Sequence, residues 1–98
     1  MAQSDVYILM DGGMVVDCQA DHFGGIATRL VVPLEPVSQS HRQEPRLNPI
    51  FSVNGEDVML MTQFATAIRA AELRKPIASL DHARLEIISA FDMLLTGV

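Results

Sequence analysis

The side chains in this sequence that could perform chemistry are few and scattered. His22, His41 and His82 are the imidazoles, Cys18 is the one thiol, and Glu56 and Asp57 form an adjacent carboxylate pair. A zinc site needs imidazoles, thiolates or carboxylates at short fixed spacings, and no Cys-x-x-Cys or His pair provides them. There is no glycine loop of the phosphate-binding kind and no Gly-x-Ser-x-Gly elbow to expose a nucleophile. Each histidine reads as a surface or capping imidazole. Cys18 falls within an apolar run and reads as a small buried hydrophobe. Glu56 and Asp57 follow a turn signal and read as solvated charge rather than as an acid–base couple. Arg69, Arg74 and Lys75 are the basic cluster of the chain, too small for a nucleic-acid footprint. The residue types do not describe an enzyme, and no metal or cofactor is expected.

Composition narrows the partners. Ninety-eight residues are expected to form one domain over 1–98, with a core thin enough that dimerisation would help it. A net charge of −5 argues against a partner bound chiefly through phosphates and favours a protein or a cationic surface. Apolar residues make up 49% of the chain, yet no uncharged run approaches the roughly eighteen residues of a membrane span. The opening Met1-Ala-Gln-Ser-Asp5 carries no basic residue and does not read as a signal peptide. A single cysteine excludes an internal disulfide and fits a reducing cytoplasm.

The elements that position these residues are mostly strands. Val6–Met10 and Met14–Cys18 are β-prone runs joined by Asp11-Gly12-Gly13, and Ile50–Val53 and Val58–Thr62 flank Asn54-Gly55. Both junctions demand positive φ at the turn and so predict hairpins. Met59 and Met61 then share one face, as core or subunit contacts. Gly24-Gly25 marks another turn, before the strand-rich run Ile26–Leu34. Pro33 cannot donate to a ladder, which predicts an edge or a bulge at that point. Residues 35–49 hold three of the five prolines and read as a surface excursion. Residues 64–73 are ambiguous: four alanines favour helix by propensity, whereas the hairpins around them favour a strand near Ile68–Leu73.

Residues 81–98 carry the three-and-four spacing of an amphipathic helix. Leu80, Ile87, Ile88, Phe91, Leu94, Leu95 and Val98 are expected on its inner arc, with Leu85, Ser89, Asp92 and Thr96 outside. Asp81 is expected to cap its start and Gly97 to stop it. Strands in hairpins with one terminal helix predict a mainly β fold, a small curled sheet or barrel. The helix seals the core with one face and leaves its tip free for a partner.

The order of these motifs resembles the CcdB family of plasmid and chromosomal toxins. Val16-Asp-Cys-Gln-Ala-Asp21 followed by Arg29-Leu-Val-Val-Pro-Leu34 is similar to the family's "VDVQSD … RxVIPL" signature. The likeness continues through Tyr7, Met61-Thr62, Ala78-Ser-Leu-Asp-His82 and the terminal Leu94-Leu-Thr-Gly-Val98, with a shorter first hairpin and small length changes in the central loop. The resemblance implies an SH3-like barrel, of the kind shared by CcdB and MazF proteins, with a main antiparallel sheet, a small accessory sheet and a C-terminal helix. It also implies a homodimer that binds the DNA gyrase A subunit, traps the enzyme with its DNA cleaved, and is neutralised by a CcdA-like antitoxin.

On that resemblance the gyrase-facing residues are His22 and Phe23, in the loop after the signature strand, together with Asp92, Leu95, Thr96, Gly97 and Val98 at the helix end. The two places are expected to meet across the dimer axis, where paired tips suit a two-fold partner. Two departures stand out. The family's best-known toxin has tryptophan at Thr96, an aromatic that can stack on an arginine as threonine cannot. It has isoleucines at His22 and Phe23.

Two other functions fit the same resemblance. MazF-like toxins share the fold and cleave RNA, for which Arg29 with Thr28, or Arg46, are the candidate groups, although the acidic balance opposes RNA binding. A non-toxic relative that keeps antitoxin binding is the other, and Thr96 is the residue that supports it. An antitoxin segment with apolar anchors and some basic residues, folding as it binds, would complement the charge of −5.

Overall fold

The computed structural model describes residues 2–39 and 44–97. Among them, seven strands form one antiparallel sheet: β1 (Asp5–Ile8), β2 (Met14–Asp17), β3 (Thr28–Pro36), β4 (Ile50–Val53), β5 (Glu56–Leu60), β6 (Thr66–Arg69) and β7 (Ala78–Ser79). A helix, α1 (Arg84–Thr96), closes the chain. The strand order is β4-β5-β3-β2-β1-β7, with β6 also paired to β3. The sheet curls into a nearly closed barrel consistent with the SH3-like class.

Both predicted hairpins form. Asn54 (φ 50°) and Gly55 (φ 85°) occupy the left-handed region between β4 and β5. That pair of positive φ values matches the right-handed twist of the strands it joins. In the first hairpin Leu9 N–H donates to Gly13 O at 2.8 Å, with Gly12 at φ 90°.

β3 is the spine of the sheet. Residues 31–34 pair with β2, while on the other side residues 28–31 pair with β6 and residues 34–36 with β5. Pro33 carries the partner change. Its carbonyl accepts from Met61 N–H at 2.9 Å, so its missing N–H points to the same side, into the gap between β6 and β5. The expected edge is therefore a switch of neighbour within a central strand.

Each face of the sheet has a core. On one, Val6, Val16, Val32, Leu34, Val58 and Leu60 pack against Leu80, Ala83, Ile87 and Ala90 from the helical end of the chain. On the other, Tyr7, Val15, Val31 and Leu73 form a smaller cluster with Leu9 and Ile68. Met59 and Met61 are buried.

The helix is seated differently from the expected wheel. Its inward line is Ala83, Ile87 and Ala90 with Phe91 half-buried, whereas Ile88 is exposed and Leu95 is 78% exposed. The contact face runs through the small Ala83 and Ala90 with Ile87, and the bulkier Ile88, Leu94 and Leu95 lie exposed off it. The outer stripe Leu85, Ser89, Asp92 and Thr96 is exposed as expected. Asp81 does not cap α1. It opens a 3-10 turn, Asp81–Ala83, and supplies its backbone carbonyl to Arg84 N–H, while Ala83 occupies the N-cap with no side-chain bond. Gly97 ends the helix as expected, at φ 77°, its N–H donating to Met93 O at 2.9 Å. Val98 lies outside the described residues, as does His41.

Residues 64–73 resolve into β6 and a following 3-10 turn, Ala70–Glu72. The strand is real but lies at 66–69, earlier than the expected 68–73, because β3 supplies pairing partners only for that stretch. The central excursion is pinned at its far end. Asn48, fully buried, donates to Leu60 O at 3.0 Å and to Gln63 Oε1 at 2.8 Å, and Thr62 Oγ1 donates to Leu47 O at 2.6 Å.

One buried feature escaped the expectations. Asp17 and Arg29, each with no side-chain exposure, form an ion pair with Nη2 to Oδ2 at 2.7 Å and Nε donating to Oδ2 at 2.9 Å. Asp17 faces Val31 across the ladder, and Arg29 sits two residues earlier on the same face, a diagonal cross-strand pair. Removing one partner leaves an uncompensated buried charge. Arg29→Met is therefore expected to destabilise the protein by about 3–5 kcal/mol, and Asp17→Leu with Arg29→Met by less than either single change. Urea unfolding of the three variants checks this.

Candidate functional site

The residues expected to form the site lie at two places on the surface. His22 and Phe23 occupy a 3-10 turn, Asp21–Phe23, in the connection between β2 and β3, and both are exposed. Their rings meet edge to face, centroids 5.0 Å apart at 86°, so the pair presents one composite aromatic knob. Behind it Phe23 joins Cys18, Ala20, Ile26 and Leu30 around an apolar hollow of about 440 Å³.

Asp92, Leu95, Thr96 and Gly97 are exposed at the C-terminal end of α1. Thr96 Oγ1 donates to Asp92 O at 2.6 Å, folding the hydroxyl back onto its own helix.

A single chain does not bring these two places together. Asp21 of the loop shares a cavity of about 540 Å³ with Asp81, His82, Arg84 and Glu86, at the start of the helix. The tip lies some twelve residues further along α1, roughly 18 Å at the rise of an α-helix.

A polar network holds the loop to the sheet. Gln19 Nε2 donates to Phe23 O at 2.9 Å, and Gln19 Oε1 accepts from Leu30 N–H at 3.1 Å. Gln3 N–H donates to Asp21 Oδ1 at 2.7 Å, and Gln3 Nε2 to Cys18 O at 3.1 Å. The sequence pattern exposed Gln19 only as part of the family signature; its bonding required the three-dimensional contacts.

The remaining chemical candidates do not assemble. Among the described residues no group of three His, Cys, Asp or Glu side chains is placed to hold a metal. Arg29, proposed for RNA cleavage with Thr28, is fully buried in its pair with Asp17 and cannot reach a substrate, which overturns that assignment. Arg46 borders a shallow hollow of about 220 Å³ with Pro45, Pro49, Glu86 and Ser89, an acid beside the cation. Arg69 and Arg74 border another with Met10 and Glu72, and Arg74 Nη2 approaches Met10 Sδ at 3.5 Å. Glu56 and Asp57 are exposed. No helix among the described residues is long and apolar enough to cross a membrane.

Cys18 is half-buried, its Sγ 3.6 Å from Val16 O. Burial, reinforced by the neighbouring Asp17 carboxylate, pushes its thiol up to about 12. Tyr7 is raised in the same way, by burial first and then by Asp5 and Asp17, with Arg29 opposing.

The family model described as CcdB protein matches residues 3–97, essentially the whole chain. Together with the barrel and its terminal helix, this defines a small toxin-like barrel protein. The chain belongs to the CcdB family, and membership supports a role as the toxin of a toxin–antitoxin pair. A search of curated proteins finds no match.

The thiol gives a test by pH. Because the folded state holds the Cys18 proton above the ordinary value of 9.0 while the unfolded state releases it there, stability contributed by this group is complete below pH 9 and falls as the pH rises towards 12. Cys18→Ala should flatten that part of the stability profile, leaving the fall due to Tyr7. Thermal melts of both proteins between pH 8 and 11 measure the difference.

Proposed function

We propose that this protein is a toxin that binds the DNA gyrase A subunit and traps the enzyme with its DNA cleaved. In this reading residues 1–98 form one toxin domain. It acts as a cytoplasmic homodimer, performs no catalysis of its own, and is neutralised by a CcdA-like antitoxin. One observation carries the reading: the end of α1 projects an apolar, exposed surface that the core does not use. Leu95 is 78% exposed, Asp92 and Thr96 flank it, and Gly97 terminates the helix with no Cβ to obstruct a partner. His22 and Phe23 form the second contact. Since the loop adjoins the start of α1 in one chain, a second copy is what would join it to a helix tip. This makes the homodimer part of the binding mechanism.

The charge of −5 favours an antitoxin segment with apolar anchors and basic residues that becomes ordered on binding. Endoribonuclease activity loses its main support with the burial of Arg29. The non-toxic relative keeps one specific observation in its favour. The Thr96 hydroxyl donates to Asp92 O, and threonine has no aromatic face for the stacking that a tryptophan would supply at this position.

A gyrase supercoiling and cleavage assay with the purified protein decides between them, run beside the variant lacking Gly97 and Val98. Linear DNA should accumulate with the full chain and not with the truncation. Unimpaired gyrase at high protein concentration, with antitoxin binding retained, would establish the non-toxic relative instead.

A further inference from the structure

We infer that Gln19 and Arg29 are positioning residues: they hold the loop bearing His22 and Phe23 in the shape a partner meets, without touching the partner themselves. This rests on the reading of His22 and Phe23 as partner contacts. The connection between β2 and β3 has little core of its own, since residues 20–28 are all exposed and the 3-10 turn contains no buried residue. A short exposed turn of this kind is held by its polar bonds or not at all.

Gln3 anchors the start of the connection through Asp21 Oδ1 and Cys18 O, and Gln19 bridges the rest of it. The Gln19 amide reaches forward to Phe23 O at 2.9 Å and back to Leu30 N–H at 3.1 Å, so it ties the aromatic knob to the first residues of β3. Its backbone is fixed from below by the buried pair: Gln19 N–H donates to Asp17 Oδ1 at 3.1 Å, and Arg29 Nη2 donates to Gln19 O at 3.4 Å. The guanidinium also lies under the end of the turn. A methyl built on Gly24 would come within 3.8 Å of Arg29 Nη1. Nη1 is buried and has no hydrogen-bond partner among the described residues. An arginine that spends two donors on Asp17 and a third on the loop backbone is doing more than balancing a charge. The chain of contacts runs from the sheet core, through Asp17 and Arg29, to Gln19 and then to Phe23.

Arg29 variants threaten the fold itself, so the test uses Gln19, which is only half-buried. Gln19→Glu keeps the acceptor for Leu30 N–H and replaces the donor facing Phe23 O with a carboxylate oxygen. Gln19→Met removes both groups and adds no charge. In the free protein, amide exchange at Gly24 and Ile26 should accelerate about tenfold in both variants, while the amides of β1 and β2 keep their rates, as loss of one net hydrogen bond implies. Affinity for purified gyrase A subunit should fall about fivefold to tenfold, through slower association at an unchanged dissociation rate. A loosened loop presents the competent shape less often, whereas a lost contact would speed dissociation. Unchanged exchange in both variants overturns the inference, as does faster exchange with unaltered association. If the parent protein does not bind gyrase, the proposed function falls, and the exchange arm alone then decides whether Gln19 holds the loop.

Discussion

The buried ion pair of Asp17 and Arg29 is the constraint around which this barrel is arranged. Two opposite charges with no solvent exposure, 2.7 Å apart, survive in the interior only if their geometry is held and their remaining groups are largely satisfied. The β2–β3 register meets the first requirement by making the two residues diagonal neighbours on one face. Nearby backbone meets part of the second: Asp17 accepts from Gln19 N–H, and Arg29 donates to Gln19 O. A slip of one residue in this ladder would turn one partner to the opposite face and leave its charge alone. The pair therefore contributes to register as well as to packing, and it couples register to the shape of the adjoining loop.

The helix shows the complementary logic on the other face. Small side chains, Ala83 and Ala90, sit where α1 meets the sheet, with Ile87 between them. Leu85, Leu94 and Leu95 lie on the outside. An apolar exterior on the last turns of a helix adds nothing to the barrel, and burying it in a complex would be favourable. The fold thus separates its tasks: the start and inner face of α1 stabilise, and the outer tip is available.

In the proposed function, recognition rather than reaction accounts for such a surface. The thiol of Cys18 is held protonated, the one arginine placed on the central strand is sealed inside, and the carboxylates of Glu56 and Asp57 lie exposed at the β4–β5 turn. Among the exposed apolar groups are the aromatic knob of His22 and Phe23 and the helix tip at Leu95. Both are suited to fitting against another protein.

Local structure was legible in the sequence wherever one or two residues settle a backbone choice. Asn54-Gly55 and Gly12 specify their turns, and Gly97 stops the helix, because positive φ strongly favours such residues. The family order of motifs likewise foretold the barrel. Long-range facts were not legible. An arginine in an alternating strand looks like a solvated residue until the register brings a buried carboxylate beside it. An alanine on a helical wheel looks neutral until a sheet is found against it. Pro33 announced a break in pairing, but only the tertiary fold decided that β6 and β5 would meet β3 on either side of it. Turns and stops follow from the conformational energy of single residues, whereas burial and the loop's support follow from neighbours distant in sequence that folding alone brings into contact.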